Sequence, residues 1–156
     1  MLADQPALFW TMYLDSLPAD SELRRRRYIV EPFGDSPALA DDLGALILQG
    51  VKTATCTSLW ELQVHNEPIP EVGLLTLVVG GKGEPLCVIE TTEAALRSYK
   101  EVDAAFAFDE GEDDRALESW RVAHWRYFTR TLAAIGREPT WDMPLICERL
   151  RVIYRQ

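Results

Sequence analysis

In the opening stretch ALFWTMYLDSL, apolar residues fall at Phe9, Trp10, Tyr13, Leu14 and Leu17, a spacing that predicts an amphipathic helix laid against a core. The segment LPADSELRRRRY breaks that helix. A second helix is marked at both ends: Ser36 as N-cap, Pro37 at the first position, Leu39, Leu43, Leu46 and Ile47 as the apolar stripe, and Gly50 as the stop. After Gly50 the period changes, and KTATCTSLW, rich in β-branched residues, predicts a strand or an extended segment leading into one. The polar loop QVHNEPIPEVG follows, and then LLTLVV and LCVIETTE flank the turn-rich GGKGEP as two antiparallel strands of a hairpin. Beyond them come a short helix near residues 100–107, the acidic loop DEGEDD, and a long helix from about Arg115 to Ile135. That helix carries Leu117, Trp120, His124, Tyr127 and Phe128 and is closed by Gly136 and Pro139; LICERLRVIY then reads as a final strand. No repeat, low-complexity tract or linker divides residues 1–156, so the expected fold is a single α+β domain. Its small mixed sheet, closed or strongly curled, has helices packed around it.

Composition narrows the function classes. With 47% hydrophobic and 26% charged residues and no apolar run near the ~20 residues of a membrane span, the chain reads as an ordinary soluble protein with no membrane partner. Its N-terminus, MLADQPALFW, lacks the features of a signal peptide, which points to a cytoplasmic location. Cys56, Cys87 and Cys147 are odd in number and far apart, favouring reduced thiols. A net charge of −9 works against broad non-specific binding to nucleic acid, which depends on neutralising phosphates. The 16 basic residues include only three lysines, Lys52, Lys82 and Lys100, so a lysine near candidate chemistry stands out. Lysine loses its proton when desolvated, whereas arginine effectively does not.

Only two histidines occur, His65 and His124, and no cysteine or carboxylate pair stands at a ligand spacing beside either, so no metal and no other cofactor is expected. His124, on a helix among aromatics, reads as a packed histidine rather than a catalytic base. The run Arg24 to Arg27 reads first as a solvated charged segment and second as a phosphate grip. DEGEDD lacks the residue pattern of a calcium loop, although one of its carboxylates could fold inward. Of the five tryptophans, Trp60 alone is placed to stack on a base. The stretch GVKTATCTSLWE reads in two ways. Either it is a threonine-rich strand with a surface lysine, or Lys52, made neutral by burial, activates a hydroxyl. On a regular strand Lys52 and Thr55 point to opposite faces, so the second reading needs a turn or bulge after Gly50.

From about Phe33 to Tyr154 the sequence resembles the ASCH domain family. The family motif Gly-x-Lys-x-x-Thr is met by Gly50, Lys52 and Thr55, and FGDSP, SLWE, CVIETTE, EVDAAFAFDEGEDD, SWRVAHWRYF and DMPLICERLRVIY match its longer bacterial branch. Residues 1–32 are then an N-terminal helical extension to the single domain. The resemblance implies a small β-barrel related to the pseudouridine-binding domain, with a cleft suited to a nucleobase or RNA segment. Small members resemble amidohydrolases that remove an acyl group from the exocyclic amine of cytidine. Their machinery carries over as Lys52 and Thr55 with Glu110, or Glu112 in its place. In that scheme neutral Lys52 accepts the Thr55 proton, Thr55 attacks the amide carbonyl and Glu110 protonates the leaving amine. Trp60, Glu90, Glu112 and Thr129 are the candidates for substrate binding. Other members resemble metal-independent or metal-assisted ribonucleases that use the same lysine and a hydroxyl on the later helix; Thr129 is the nearest candidate, where the family commonly has serine. A non-catalytic RNA-binding module is the third reading. The expected partner is a nucleoside or nucleobase, with RNA as the alternative, and the protein is expected to be a monomer or homodimer.

Overall fold

The computed structural model describes residues 4–156. Five strands form one sheet in the order β1-β3-β4-β5-β2: β1 (Tyr28–Pro32), β2 (Ala54–Ser58), β3 (Leu75–Val79), β4 (Pro85–Ser98) and β5 (Pro144–Arg155). β1 runs parallel to β3, and every other pairing is antiparallel. The long β4–β5 ribbon carries irregularities at Val88/Ile89 and Thr91/Glu93. Such bulges sharpen twist, and the sheet curls into a half-barrel with β1 and β2 as its edges. It is the expected α+β sheet in its curled, open form.

Each face of the curl is covered because alternate strand residues are apolar. Phe9, Trp10 and Tyr13 of α1 (Gln5–Asp15) cover Leu75, Leu77, Val79 and Val88. On the other face Phe33 and, from α2 (Pro37–Leu48), Leu43 and Ile47 meet Val78, Cys87, Ile89 and Leu150. α1 thus seals the sheet on the side away from α2; residues 1–3 of the N-terminal extension lie outside the described residues. A third cluster joins Ala54, Leu145 and Cys147 to Phe106 and Ala107 of α4 (Ala104–Glu110) and to Trp120, Phe128 and Leu132 of α5 (Leu117–Ala133).

The second helix forms as its signals predict: the Ser36 hydroxyl accepts from the Leu39 amide at 3.2 Å, and Gly50 takes φ +73°. Two elements differ from expectation. Leu59–Val64 is a short helix, α3, rather than the tail of a strand, because Leu62 turns inward to the core. YIVEP at 28–32 is strand β1, whose partner β3 is far along the chain, so no local pattern announces it. The hairpin's second strand also runs on to Ser98, past LCVIETTE.

Gly111 ends α4 with φ +75°, and a Cβ there would lie 2.6 Å from the Val51 carbonyl oxygen and 3.0 Å from the Lys52 Cα. Here both backbone conformation and close approach require glycine. Gly136, at φ +72°, has nothing within 4 Å of such a Cβ. Gly136→Ala is expected to cost about 1 kcal/mol through backbone strain alone. Gly111→Ala should cost about 3 kcal/mol, because it also forces the 51–52 backbone away from α4. Urea midpoints of the two variants test this, and equal losses would show that the close approach at Gly111 carries no weight.

Candidate functional site

The motif GVKTAT does not begin its strand until Ala54. The amides of Val51 and Lys52 both donate to the Leu46 carbonyl, at 3.0 and 3.1 Å, turning the chain sharply off the end of α2. Thr53 then donates through its amide (2.7 Å) and its hydroxyl (3.3 Å) to the Asp109 carbonyl. These bonds clamp the lysine loop onto the last turn of α4 and direct Lys52 inward. It is only 2% exposed, and Glu110, which closes α4, is 0% exposed.

The Lys52 Nζ donates to Glu112 Oε2 at 3.0 Å and to the Glu110 carbonyl at 3.4 Å. Glu110 Oε2 accepts from the indole Nε1 of Trp120 at 2.7 Å and lies 2.7 Å from Nε2 of His124. One turn apart on α5, Trp120 and His124 stack with ring centroids 4.2 Å apart. Nδ1 of His124 is 2.9 Å from the Trp120 carbonyl. Both partners of this imidazole are acceptors, so both ring nitrogens carry protons and His124 is an imidazolium. Glu110 Oε1 is buried with no hydrogen-bond partner.

Mutual charge fixes the protonation states. Burial raises the Glu110 carboxyl, but the charges of Lys52 and His124, with hydrogen bonds from His124 and Trp120, outweigh it and bring the pKa down to about 2. For Lys52, burial favours loss of the proton, yet the fields of Glu110 and Glu112 and the bond to Glu112 raise its pKa above the ordinary value. His124 is raised likewise, Glu110 overcoming its desolvation. The expectation that burial makes Lys52 neutral is therefore reversed, because the lysine is buried together with two carboxylates. Burial, followed by the fields of Glu110 and Cys147, pushes the Cys56 thiol well up.

Of the residues expected at the site, the structure brings Lys52, Glu110 and Glu112 together. Thr55 is not hydrogen-bonded to any of them. It pairs with Glu148 across the β2–β5 ladder, whereas Cys56 pairs with Cys147, so alternation turns Thr55 toward Glu148 and Cys56 toward Glu110. The turn after Gly50 is present, but it ends before Ala54 and leaves the strand regular. Trp60 packs beside the α5 cluster with the Arg137 guanidinium 4.4 Å from its ring centroid. Glu90 is buried in ion pairs with Arg26 and Arg151, at a cavity of about 710 Å³ also lined by Arg27 and Thr91. Thr129 is exposed, its hydroxyl spent on the Trp125 carbonyl at 2.7 Å. Of the arginine run, Arg24 binds the carbonyls of Leu17 and Pro18, and Arg26 serves Glu90.

Trp120, His124 and Cys56 are site residues that the sequence reading missed. The i, i+4 spacing of Trp120 and His124 was visible, but its purpose required knowing that Glu110 turns inward. Other carboxyl groups are raised. Desolvation, Glu148 and Glu67 raise Glu31 to about 7, burial raises Glu148, and burial raises Glu61 beside Thr131, Glu67 and Asp35. Among the described residues no helix is long and apolar enough to cross a membrane.

The architecture is shared with solved proteins. An ASCH domain from Lactobacillus crispatus JV V101 superposes with a TM-score of 0.91 at 31% identity, over 97% of this chain and 96% of that one. A protein from Enterococcus faecalis V583 gives 0.82 at 30% identity, over 98% and 90%. None of the curated proteins matches the sequence. Residues 29–154, which hold the Lys52–Glu110 cluster and all but the two outermost residues of the five-stranded sheet, match the ASCH domain, and the chain belongs to that family, one associated with RNA binding and hydrolase-like activity.

Proposed function

We propose that this protein is a hydrolase that removes the acyl group from the exocyclic amine of N4-acylated cytosine nucleosides or bases. One observation carries the reading: a fully buried carboxylate, Glu110, has one oxygen held by Trp120 and His124 and the other without a partner, beside a buried ammonium. A free carboxylate oxygen shielded from solvent accepts a proton from water or a hydrogen bond from an exocyclic amine. The Lys52 ammonium answers the negative charge that develops on an amide oxygen under attack.

The reaction balances as follows. Glu110 Oε1 takes a proton from water, whose oxygen bonds to the acyl carbon, and Lys52 Nζ donates to the resulting oxyanion. The C–N bond breaks, the proton on Glu110 passes to the departing amine, and the carboxylic acid leaves and gives up its remaining proton to bulk water. When Nζ turns from the glutamates toward the oxyanion, the field that holds Glu110 so acidic weakens and its proton affinity rises at the step that needs it. Glu112, with a side chain 23% exposed, is the gate: substrate reaches Nζ by displacing it. Water as nucleophile suits a geometry in which Thr55 faces Glu148. The carboxyl run of Glu31, Glu61, Glu67 and Glu148 favours a neutral substrate over a polyanion.

Conversion of acetylcytidine to cytidine, followed by ultraviolet absorbance, tests the reading. Lys52→Arg and Glu110→Gln should each lower kcat by about 100-fold or more. Thr55→Ala should stay within about threefold of the parent protein. A comparable loss in Thr55→Ala would restore the hydroxyl as nucleophile, and absence of conversion alongside salt-sensitive RNA cutting that needs Lys52 would select the ribonuclease reading instead.

The pH profile follows from the same charges. With Glu110 ionised down to about pH 2, its titration imposes no acid limb in an ordinary assay. His124 is protonated below its raised pKa, and as pH rises through that value a bare Nε2 faces Glu110 Oε2. The expected kcat/KM is flat on the acid side and falls on the alkaline side, and a rate that instead climbs through that range would show that neutral His124 is the working form.

A further inference from the structure

We propose that Cys56, Glu110 and His124 form a binding site for a zinc-class divalent ion. Their ligand atoms, one sulfur, one carboxylate oxygen and one imidazole nitrogen, all lie within 4.8 Å of one another, and this is the one such group among the described residues. They come from three elements, β2, the end of α4, and α5, so no sequence spacing reveals the set. Thiolate, imidazole and carboxylate together suit zinc, and three protein ligands leave a fourth position open.

The surroundings fit ligation as well as the donors do. The Nδ1–H of His124 is fixed by the Trp120 carbonyl at 2.9 Å, the arrangement that presents Nε2 of a histidine to an ion. Trp120 Nε1 orients the Glu110 carboxylate at 2.7 Å while Oε1 remains buried and unpartnered. Such an oxygen normally has a partner, and an ion supplies one.

Lys52 does not exclude the ion. An entering divalent cation replaces the proton on His124 Nε2 and the proton on Cys56 Sγ. Two positive charges enter and two leave, so the charge beside Lys52 is unchanged and its pair with Glu112 persists. Binding and amide hydrolysis compete for Glu110, but the site stands on its donors and not on the hydrolase reading.

The test needs no substrate. The full-length protein, stripped with a chelator and kept reduced, is titrated with Co²⁺ and read by absorption. A thiolate-to-cobalt charge-transfer band saturating at one ion per chain and bleached by Zn²⁺ is expected. Cys56→Ala should lose the band while keeping its circular dichroism, and His124→Gln should weaken zinc affinity at least about tenfold by calorimetry. No band in the parent protein, or a band that survives in Cys56→Ala, would overturn the site whatever the variants do to folding.

Discussion

A carboxylate with no exposed surface has to be neutralised from within the protein, and the arrangement around Glu110 follows from that requirement. Desolvating an ion costs several kcal/mol unless opposite charge and hydrogen bonds are built around it. Here the compensation comes from the lysine ahead of β2 and from a tryptophan and a histidine one turn apart on α5. Glu110 therefore ties the loop after α2, the end of α4 and the face of α5 into one electrostatic unit. Removing any partner leaves buried charge uncompensated, whereas a purely apolar junction would lose only packing.

Strand parity divides this site from the rest of the threonine-rich stretch. Lys52 enters from a loop clamped to Asp109, and from Ala54 onward β2 is regular. Ala54 and Cys56 face the helices, while Thr55 faces Glu148 and thus the neighbourhood of Thr91, which donates to Glu148 at 3.0 Å. One short strand accordingly serves two chemical surfaces, a charged cluster under α4 and α5 and, on its other face, the hydroxyl and carboxyl groups of Thr55, Thr91 and Glu148. The lysine and threonine of the motif lie three residues apart, yet they belong to different surfaces.

Much of the fold was legible in the sequence because its signals are local. Ser36, Pro37 and Gly50 bounded α2, GGKGEP marked the hairpin, and the spacing around Trp120 and Phe128 marked α5. What was not legible depends on distant partners. β1 is five residues whose hydrogen bonds come from a strand nearly fifty positions later. Lys52 and Glu110 were legible as candidates, but their charge was not, since burial alone argues for neutral lysine and only the paired glutamates reverse it. Cys56 and His124 carried no spacing signal, because the fold and not neighbouring sequence brings their ligand atoms within 4.8 Å of one another.

The charge map bears on the choice of ligand. Arg26, Arg27 and Arg151 line one cavity, where two of the three arginines are already paired with Glu90. Thr91 lines that cavity and also bonds Glu148, so basic and acidic surfaces meet at one residue. A polyanion gripped by those arginines meets, beside Thr91, the carboxyl of Glu148 and its neighbour Glu31, both raised by burial, Glu31 to about 7. The arginine cavity and the face of β2 that carries Thr55 thus meet at an acidic residue, Glu148. Under the proposed hydrolase reading, a neutral base bearing a single amide avoids that repulsion, and Glu110 Oε1, buried without a partner beside the buried Lys52, is the acceptor offered to its exocyclic nitrogen.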